Sequence, residues 1–443
     1  MQPDDAPGYR RAWQLAWPII LSNSSIPLVG AMDTAVMGHL PDAAYIGAVA
    51  LGANLFSIIY WGFGFLRMGT TGFVAQALGA ADGAEVRAAL LRALLIAATL
   101  ALGLWILQAP VAAAAFWFVE GSERVETLTR TYYDWRIWSA PAVFANYAVL
   151  GTLIGLQRTR SVLVLQLLLN GTNVALDLLF VTVLGMGIEG VALASVIAEY
   201  TAVGAGLWLA ARHLRILPGR ERFVTLLEPA ALRALFAVNG NIFVRTLCLV
   251  LSFFYFTAEG ARIGETTVAA NAILMQLQFF LAYGLDGFAH AAEGLVGAAW
   301  GARDRGHFRA AIRSTTVCAL AVALAYTAVY GVLGPVFIGW MTDLETVRAA
   351  AATYLPWMIA APIVSVWSFQ LDGIFIGTTR TVEMRNGMLI AAGAFWAAVE
   401  VLVPLLGNHG LWLALMLFLG LRAITLGAWL PRLDRALRSA AAT

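Results

Sequence analysis

A block of glycines, arginines and acids is written twice in this 443-residue chain, 222 positions apart. Gly79, Ala80, Asp82, Arg87, Ala88 and Ala89 return as Gly301, Ala302, Asp304, Arg309, Ala310 and Ala311. Further on, Tyr132, Trp135, Gly151, Ile154, Gly155, Arg158 and Thr159 meet Tyr354, Trp357, Gly373, Ile376, Gly377, Arg380 and Thr381, and the pair Leu184 and Gly185 meets Leu406 and Gly407. Earlier, Arg11, Ala12 and Gly38 meet Arg233, Ala234 and Gly260. Chance identities between Ala- and Gly-rich stretches do not keep one register through six hydrophobic segments, so the chain reads as a duplication. Any fold it adopts must be two copies of one unit.

With 60% hydrophobic and 12% charged residues and a mean hydropathy of +0.78, the chain has too little polar surface to cover a soluble globule. Apolar runs long enough to span a bilayer fall near 14–38, 46–78, 91–115, 131–156, 161–185, 188–212, 233–257, 267–299, 311–334, 349–376, 383–406 and 409–431. Membrane-barrel strands would alternate polar and apolar residues over about ten positions; the stretch from Ala88 to Leu107 shows no alternation. The expected fold class is an all-α integral membrane protein, with twelve transmembrane helices in two pseudo-symmetric six-helix lobes.

Every basic side chain is Arg, and in alternate loops these collect on one side, which by the positive-inside rule is cytoplasmic. Both termini are then cytoplasmic. Arg10 and Arg11 precede a run that continues through Asn23, Pro27 and Asp33 without a small-residue cleavage site, so the run is expected to stay as the first helix. Six helices is an even number, so the halves share one orientation, the parallel-repeat arrangement of transporters that rock two lobes. The expected domains are an N-terminal lobe at 1–212, a cytoplasmic linker at 213–232 and a C-terminal lobe at 233–443. The only cysteines are Cys248 and Cys318, both inside expected helices, which supports neither a disulfide framework nor a metal cluster. No cofactor and no nucleic-acid partner are expected, the formal net charge being +2.

An ionised Asp near mid-membrane costs about 2.5–3.5 kcal/mol on insertion scales, so intramembrane acids are candidates for function. Asp33 near the outer end of the first helix and Asp177 near the outer end of the fifth fall at similar depth. Asn173 shares a face with Asp177, and Ser195 enters on the sixth helix to a comparable level. Together they can hold a cation or a proton; the plainer reading has the acids only bonding neighbouring helices. The second half carries Tyr255 and Val399 at the positions of the two acids, so coupling is expected to be asymmetric. Pro18 and Pro27 lie in the same helix as Asp33 and are candidate kinks. Asp286, His290 and Glu293 share a face of the eighth helix. That face suits a proton relay or cation binding; the favoured expectation is a buried clamp with Arg245 or Arg67.

The segment Leu15, Ala16, Trp17, Pro18, Ile19 with Asp33, Thr34 and Gly38, His39, Leu40 resembles the multidrug and toxic compound extrusion (MATE) family. The stretches from Ala269 to Ala272, Tyr283 to Glu293, Leu371 to Gly377 and Glu383 to Asn386 resemble its DinF branch, and the similarity covers nearly the whole chain. The resemblance implies a V-shaped pair of lobes in a bacterial inner membrane and export of organic cations or other amphipathic compounds in exchange for H⁺ or Na⁺. It also implies that Asp33, with its kink at Pro18, and Asn173, Asp177 and Ser195 form the ion-coupling site. In another branch the ion site lies in the C-terminal lobe, where this chain offers Glu259 and Asp372, with Tyr255 in place of an acid. The transporter is expected to be a monomer in the lipid bilayer, driven by an ion gradient, since the chain has no Walker loop. Two alternatives stand beside this reading. A lipid-linked precursor flippase would need more intrahelical arginines than Arg67, Arg245 and Arg422. A membrane-embedded enzyme would need a nucleophile and base at close spacing, and no such set is found.

Overall fold

The computed structural model describes residues 8–27, 30, 32, 36, 44–117, 122–219, 226 and 228–440, and these are helical with no strand among them. In chain order the first half gives α1 (Tyr9–Ser24), α2 (Ala44–Gly62), α3 (Phe65–Gly79), α4 (Gly83–Ile106), α5 (Gln108–Trp117) and α6 (Glu123–Arg136). A 3₁₀ turn (Ile137–Ser139) leads into α7 (Ala140–Gly155), followed by α8 (Thr159–Asp177), a π-helical turn (Leu178–Val183) and α9 (Ile188–Leu214). The second half gives α10 (Pro229–Ile263), α11 (Glu265–Gly301), α12 (Arg305–Met341), α13 (Glu345–Gly377), α14 (Thr381–Leu406), α15 (Asn408–Gly427) and α16 (Leu430–Ala440). Among the described residues, eleven helical stretches are long and apolar enough to cross a membrane, and they match the second to twelfth expected runs in order. The first run begins as α1; most of it beyond Pro27 lies outside the described residues.

Two compact units emerge, one of Leu21–Leu235 and one of Met1–Ile20 with Phe236–Thr443. The boundary between units thus runs through α1, whose residues up to Ile20 belong with the second half of the chain.

The duplication is visible in the turns. Ala81 and Arg303 both take a left-handed backbone (φ 56° and 54°), as do Gln157 and Thr379 (φ 57° and 53°). In each case the following amide reaches back five residues to close the helix: Asp82 to Ala77, Asp304 to Ala299, Arg158 to Leu153 and Arg380 to Phe375, at 2.8–3.0 Å. This is the Schellman ending, built here without glycine at a cost of about 1–2 kcal/mol per residue. Asp82 and Asp304 then open the next helix, each carboxylate accepting the amide of the residue three positions on (Glu85 and His307) at 2.9 Å. For Asp304 that amide bond, with the His307 imidazole beside it, holds the carboxyl below the usual range.

The repeated glycines permit backbone contact inside each unit. A Cβ on Gly151 would strike the carbonyl oxygen of Arg67, and one on Gly373 that of Ala289, which is the same position in the second copy. A Cβ on Gly155 would fall 2.9 Å from the Thr71 oxygen, and one on Gly377 2.6 Å from the Glu293 oxygen, again the equivalent position. So α3 closes on α7 and α11 on α13 by the same pair of crossings.

The repeated arginines hold the tail of the sixth helix in each half. Arg87 donates to the carbonyls of Leu214, Leu217, Pro218 and Gly219 at 2.7–3.2 Å, fastening the segment that leaves α9. Arg309, its copy, and Arg305 instead grip the Asp434 carboxylate on α16 with Nη2 atoms at 2.6 and 2.7 Å.

Gly151→Val and Gly373→Val are each expected to destabilise by about 1–3 kcal/mol through overpacking, whereas Gly393→Ala, in open space on α14, gains about 0.5–1 kcal/mol; thermal unfolding in detergent measures both. Asp434→Asn is expected to speed amide exchange in α16 and leave 214–219 unchanged, and Arg87→Met to do the reverse, as read by exchange mass spectrometry.

Candidate ion-coupling site

On α8 the polar residues Gln166, Asn170, Asn173 and Asp177 follow one another at spacings of four, three and four, which is one face of a helix. Gln166 Nε2 donates to Asn170 Oδ1 at 2.9 Å, and Asn170 Nδ2 donates to Ser25 Oγ at 2.7 Å, just beyond α1. Asn173 Nδ2 donates to Ser195 Oγ on α9 at 3.1 Å. Asp177 closes the line at 1% exposure, beside Asn173 at 3% and Ser195 at 8%. The structure therefore brings Asn173 and Ser195 together across two helices, with Asp177 one turn further on. Immediately after Asp177 the backbone shifts to π-helical hydrogen bonding, a bulge often found where a helix carries function. Pro18 lies inside α1, and Pro27 lies past its end in helical conformation. Asp33 is outside the described residues. Gln166, Asn170 and Ser25 were missed from the sequence, although the spacing on α8 was there to be read.

Of the residues set aside for a second polar site, Tyr255 and Glu259 fall into local pairs, whereas Asp286, Asp372 and Arg245 all act on the Arg422 guanidinium. Tyr255 donates its hydroxyl to Glu400 at 2.5 Å, and Glu259 accepts from Arg262 at 2.5 Å. His290 Nδ1 donates to the Asp286 carbonyl at 2.5 Å on α11, and Glu293 is buried on the same helix. Asp372 on α13 accepts from Arg422 on α15 at 2.7 Å and, through the same oxygen, from Arg245 on α10. Two guanidiniums on one buried carboxylate leave little for a third cation to gain there.

One constellation has no counterpart among the sequence expectations. Glu199 on α9 accepts a bond from Asn146 Nδ2 of α7 at 2.8 Å and faces Arg136, at the end of α6, at 3.9 Å. Arg136 also corrects the tally of intrahelical arginines, which had counted Arg67, Arg245 and Arg422. Arg136 lies inside the span Glu123–Gly155, within the apolar run expected at 131–156.

The MatE family model matches residues 18–179 and 242–397. Over 420 residues the chain is 41% identical to DNA damage-inducible protein F of Escherichia coli (strain K12), covering 94% of this chain and 90% of that protein. It is 25% identical to Protein DETOXIFICATION 44, chloroplastic, of Arabidopsis thaliana, over 94% and 80% of the two chains. Solved structures share the fold: a MOP superfamily transporter from Pyrococcus furiosus superposes with a TM-score of 0.85 at 19% identity, covering 97% of this chain and 96% of that one. The Vibrio cholerae MATE transporter VcmN in its bent form gives 0.83 at 20%, covering 97% of both. A duplicated, all-helical membrane chain with these relatives belongs to the MatE family, that of the multidrug and toxic compound extrusion transporters.

Proposed function

We propose that this transporter exports organic cations or other amphipathic compounds across a bacterial inner membrane in exchange for H⁺ or Na⁺, coupled through Asp33, Asn173, Asp177 and Ser195. The observation that carries the reading is the Asn173 to Ser195 hydrogen bond beside the buried Asp177 carboxylate, inside two membrane spans. With its Nδ2 given to Ser195, Asn173 keeps Oδ1 as an oxygen that a cation can use, and Asp177 supplies the charge. An acid at this depth costs about 2.5–3.5 kcal/mol when ionised, which a bound proton or metal ion removes. When the ion leaves, the same carboxylate favours a positively charged cargo. One acidic site that is occupied by either ion or cargo is the elementary form of exchange.

In this reading 1–212 and 233–443 act as two rocking lobes joined by 213–232, with both termini in the cytoplasm and the monomer as the working unit. Pro18, which leaves a backbone carbonyl of α1 without its helical donor, is the joint that bends when the charge of the site changes.

The test is transport of a fluorescent organic cation in proteoliposomes under separately imposed pH and Na⁺ gradients. Each pH unit supplies about 1.4 kcal/mol per proton, enough for about a tenfold gradient of cargo. Asp177→Asn is expected to lower gradient-driven transport by about tenfold or more, the factor corresponding to about 1.4 kcal/mol of lost ion binding. Undiminished transport in that variant would overturn the site; drive by Na⁺ alone assigns the ion as Na⁺, and transport under neither gradient points to lipid-linked cargo. Ser195→Ala is expected to weaken Na⁺-driven more than H⁺-driven transport, because coordination of a metal ion needs the oxygen and a proton on Asp177 does not.

A further inference from the structure

We infer that Glu199 is a second proton-carrying carboxylate of the N-terminal half, with Arg136 as its built-in counter-cation; the inference rests on the exchange reading above. Glu199 stands four residues after Ser195 on α9, hence on the same face and one turn deeper from the outer end. The two residues face the polar line of α8 and the charge of α6 in succession.

The geometry is that of a pair left open. A closed guanidinium–carboxylate bond measures about 2.7–2.9 Å, whereas Arg136 Nη2 stands 3.9 Å from Glu199 Oε1. The other oxygen, Oε2, is held by Asn146 at 2.8 Å, and the same amide donates to the Glu199 backbone carbonyl at 3.2 Å. Asn146 therefore fixes the carboxyl in place whether or not it carries a proton, because only an acceptor oxygen is required of it. Oε1 is the atom that can take the proton. Arg136 Nη1 is buried without a hydrogen-bond partner, although the guanidinium is also bonded by Tyr132 of its own helix. Both side chains are mostly buried, at 14% exposure.

The groups that act on this carboxylate come from each element packed on α9. Arg136 and its partner Tyr132 stand on α6, Tyr147 on α7 and Tyr60 on α2, while Asn173 of α8 lies one turn outward, bonded to Ser195. Tyr60 shares its hydroxyl with Ser139 at 2.8 Å, and Ser139 in turn donates to the Arg136 carbonyl at 2.8 Å, which pins the end of α6 where the arginine sits. Arg136 and Asn146 are positioning residues; Glu199 is the one that changes charge. In the second copy the corresponding residues are Met358, Ser368 and Leu421, so the device belongs only to the half that carries Asp177.

Protonation balances simply: Oε1 of the carboxylate gains H⁺ from the outer side and returns it when the charge of Arg136 or of cargo replaces it. Two acids one turn apart in depth give the half a place to receive a proton and a place to pass it inward.

The test uses the full chain in lipid bilayers. Infrared difference spectra on acidification should show a protonated carboxyl C=O band that is missing in Glu199→Gln, a substitution that keeps the bond from Asn146. Glu199→Asp, which retains the acid, should restore a band at a shifted position. In proteoliposomes, the number of protons exchanged per tetraphenylphosphonium should fall by about one in Glu199→Gln relative to wild type, as linkage requires of a lost proton site. A band unchanged by Glu199→Gln, or an unchanged proton count, overturns the inference while leaving Asp177 as the coupling acid. Transport by wild type without any proton movement removes proton exchange itself, and the inference with it. Thermal unfolding of each variant separates loss of the site from loss of the fold.

Discussion

Helices in a bilayer gain nothing from the hydrophobic effect by touching one another, because lipid tails are as apolar as Leu, so close backbone approach has to supply the contact. Gly151 and Gly155 in one half, and Gly373 and Gly377 in the other, supply it by removing the Cβ that would meet a facing carbonyl. The crossings of α3 on α7 and of α11 on α13 fix the angle at which the remaining helices of each unit enter and leave. They also position the polar face of α8, which starts from the turn that ends α7. The left-handed residues Gln157 and Thr379 at those turns are strained for the same reason: the chain must reverse tightly directly after a glycine that cannot move away.

What the duplication copies is backbone geometry, and what it leaves uncopied is charge. Caps at Asp82 and Asp304, left-handed turns and glycine crossings agree position by position. The tail of the sixth helix is held by the same arginine in both copies, but the acceptors differ, carbonyls for Arg87 and the Asp434 carboxylate for Arg309. Inside the membrane the charged groups differ between the halves. The N-terminal half has Asp177 and the open pair of Glu199 with Arg136. The C-terminal half has Asp372 covered by Arg245 and Arg422.

The sequence made the spans legible because their signal is local: eleven apolar runs sit where helices are found, and the glycines and caps of the repeat lie within a turn of the features they create. The same locality made Asn173 and Asp177 readable, since a spacing of four places them on one face. Partner choice was not legible. Asp372 and Arg245 are 127 positions apart, and Glu199 and Asn146 are 53 apart; nothing in the neighbourhood of either residue announces the other. Arg136 lies within the expected run 131–156 and was legible as an intrahelical charge; only its partner, Glu199, was not. Asp33, the acid that the sequence weighted as heavily as Asp177, falls outside the described residues.

Uneven charge on an even scaffold has an energetic consequence for the proposed exchange. A ligand shifts a conformational equilibrium only by the difference in its affinity for the two states. If both halves carried the same exchangeable acid, an ion bound in one would be opposed or duplicated by the other, and the bias toward one state would depend on both being filled. In the proposed exchange Asp372 is already held by two guanidiniums, and the incoming proton or Na⁺ takes the carboxylates of the N-terminal half. Moving the population from mostly one state to mostly the other takes about 5.5 kcal/mol of differential binding, more than a single surface-like ion contact provides. A buried acid relieved of about 2.5–3.5 kcal/mol of membrane cost supplies part of it. In the proposed exchange a second acid a turn deeper on α9 supplies a further share, and the open pair of Arg136 and Glu199, rather than the closed group at Asp372, is where it is gathered.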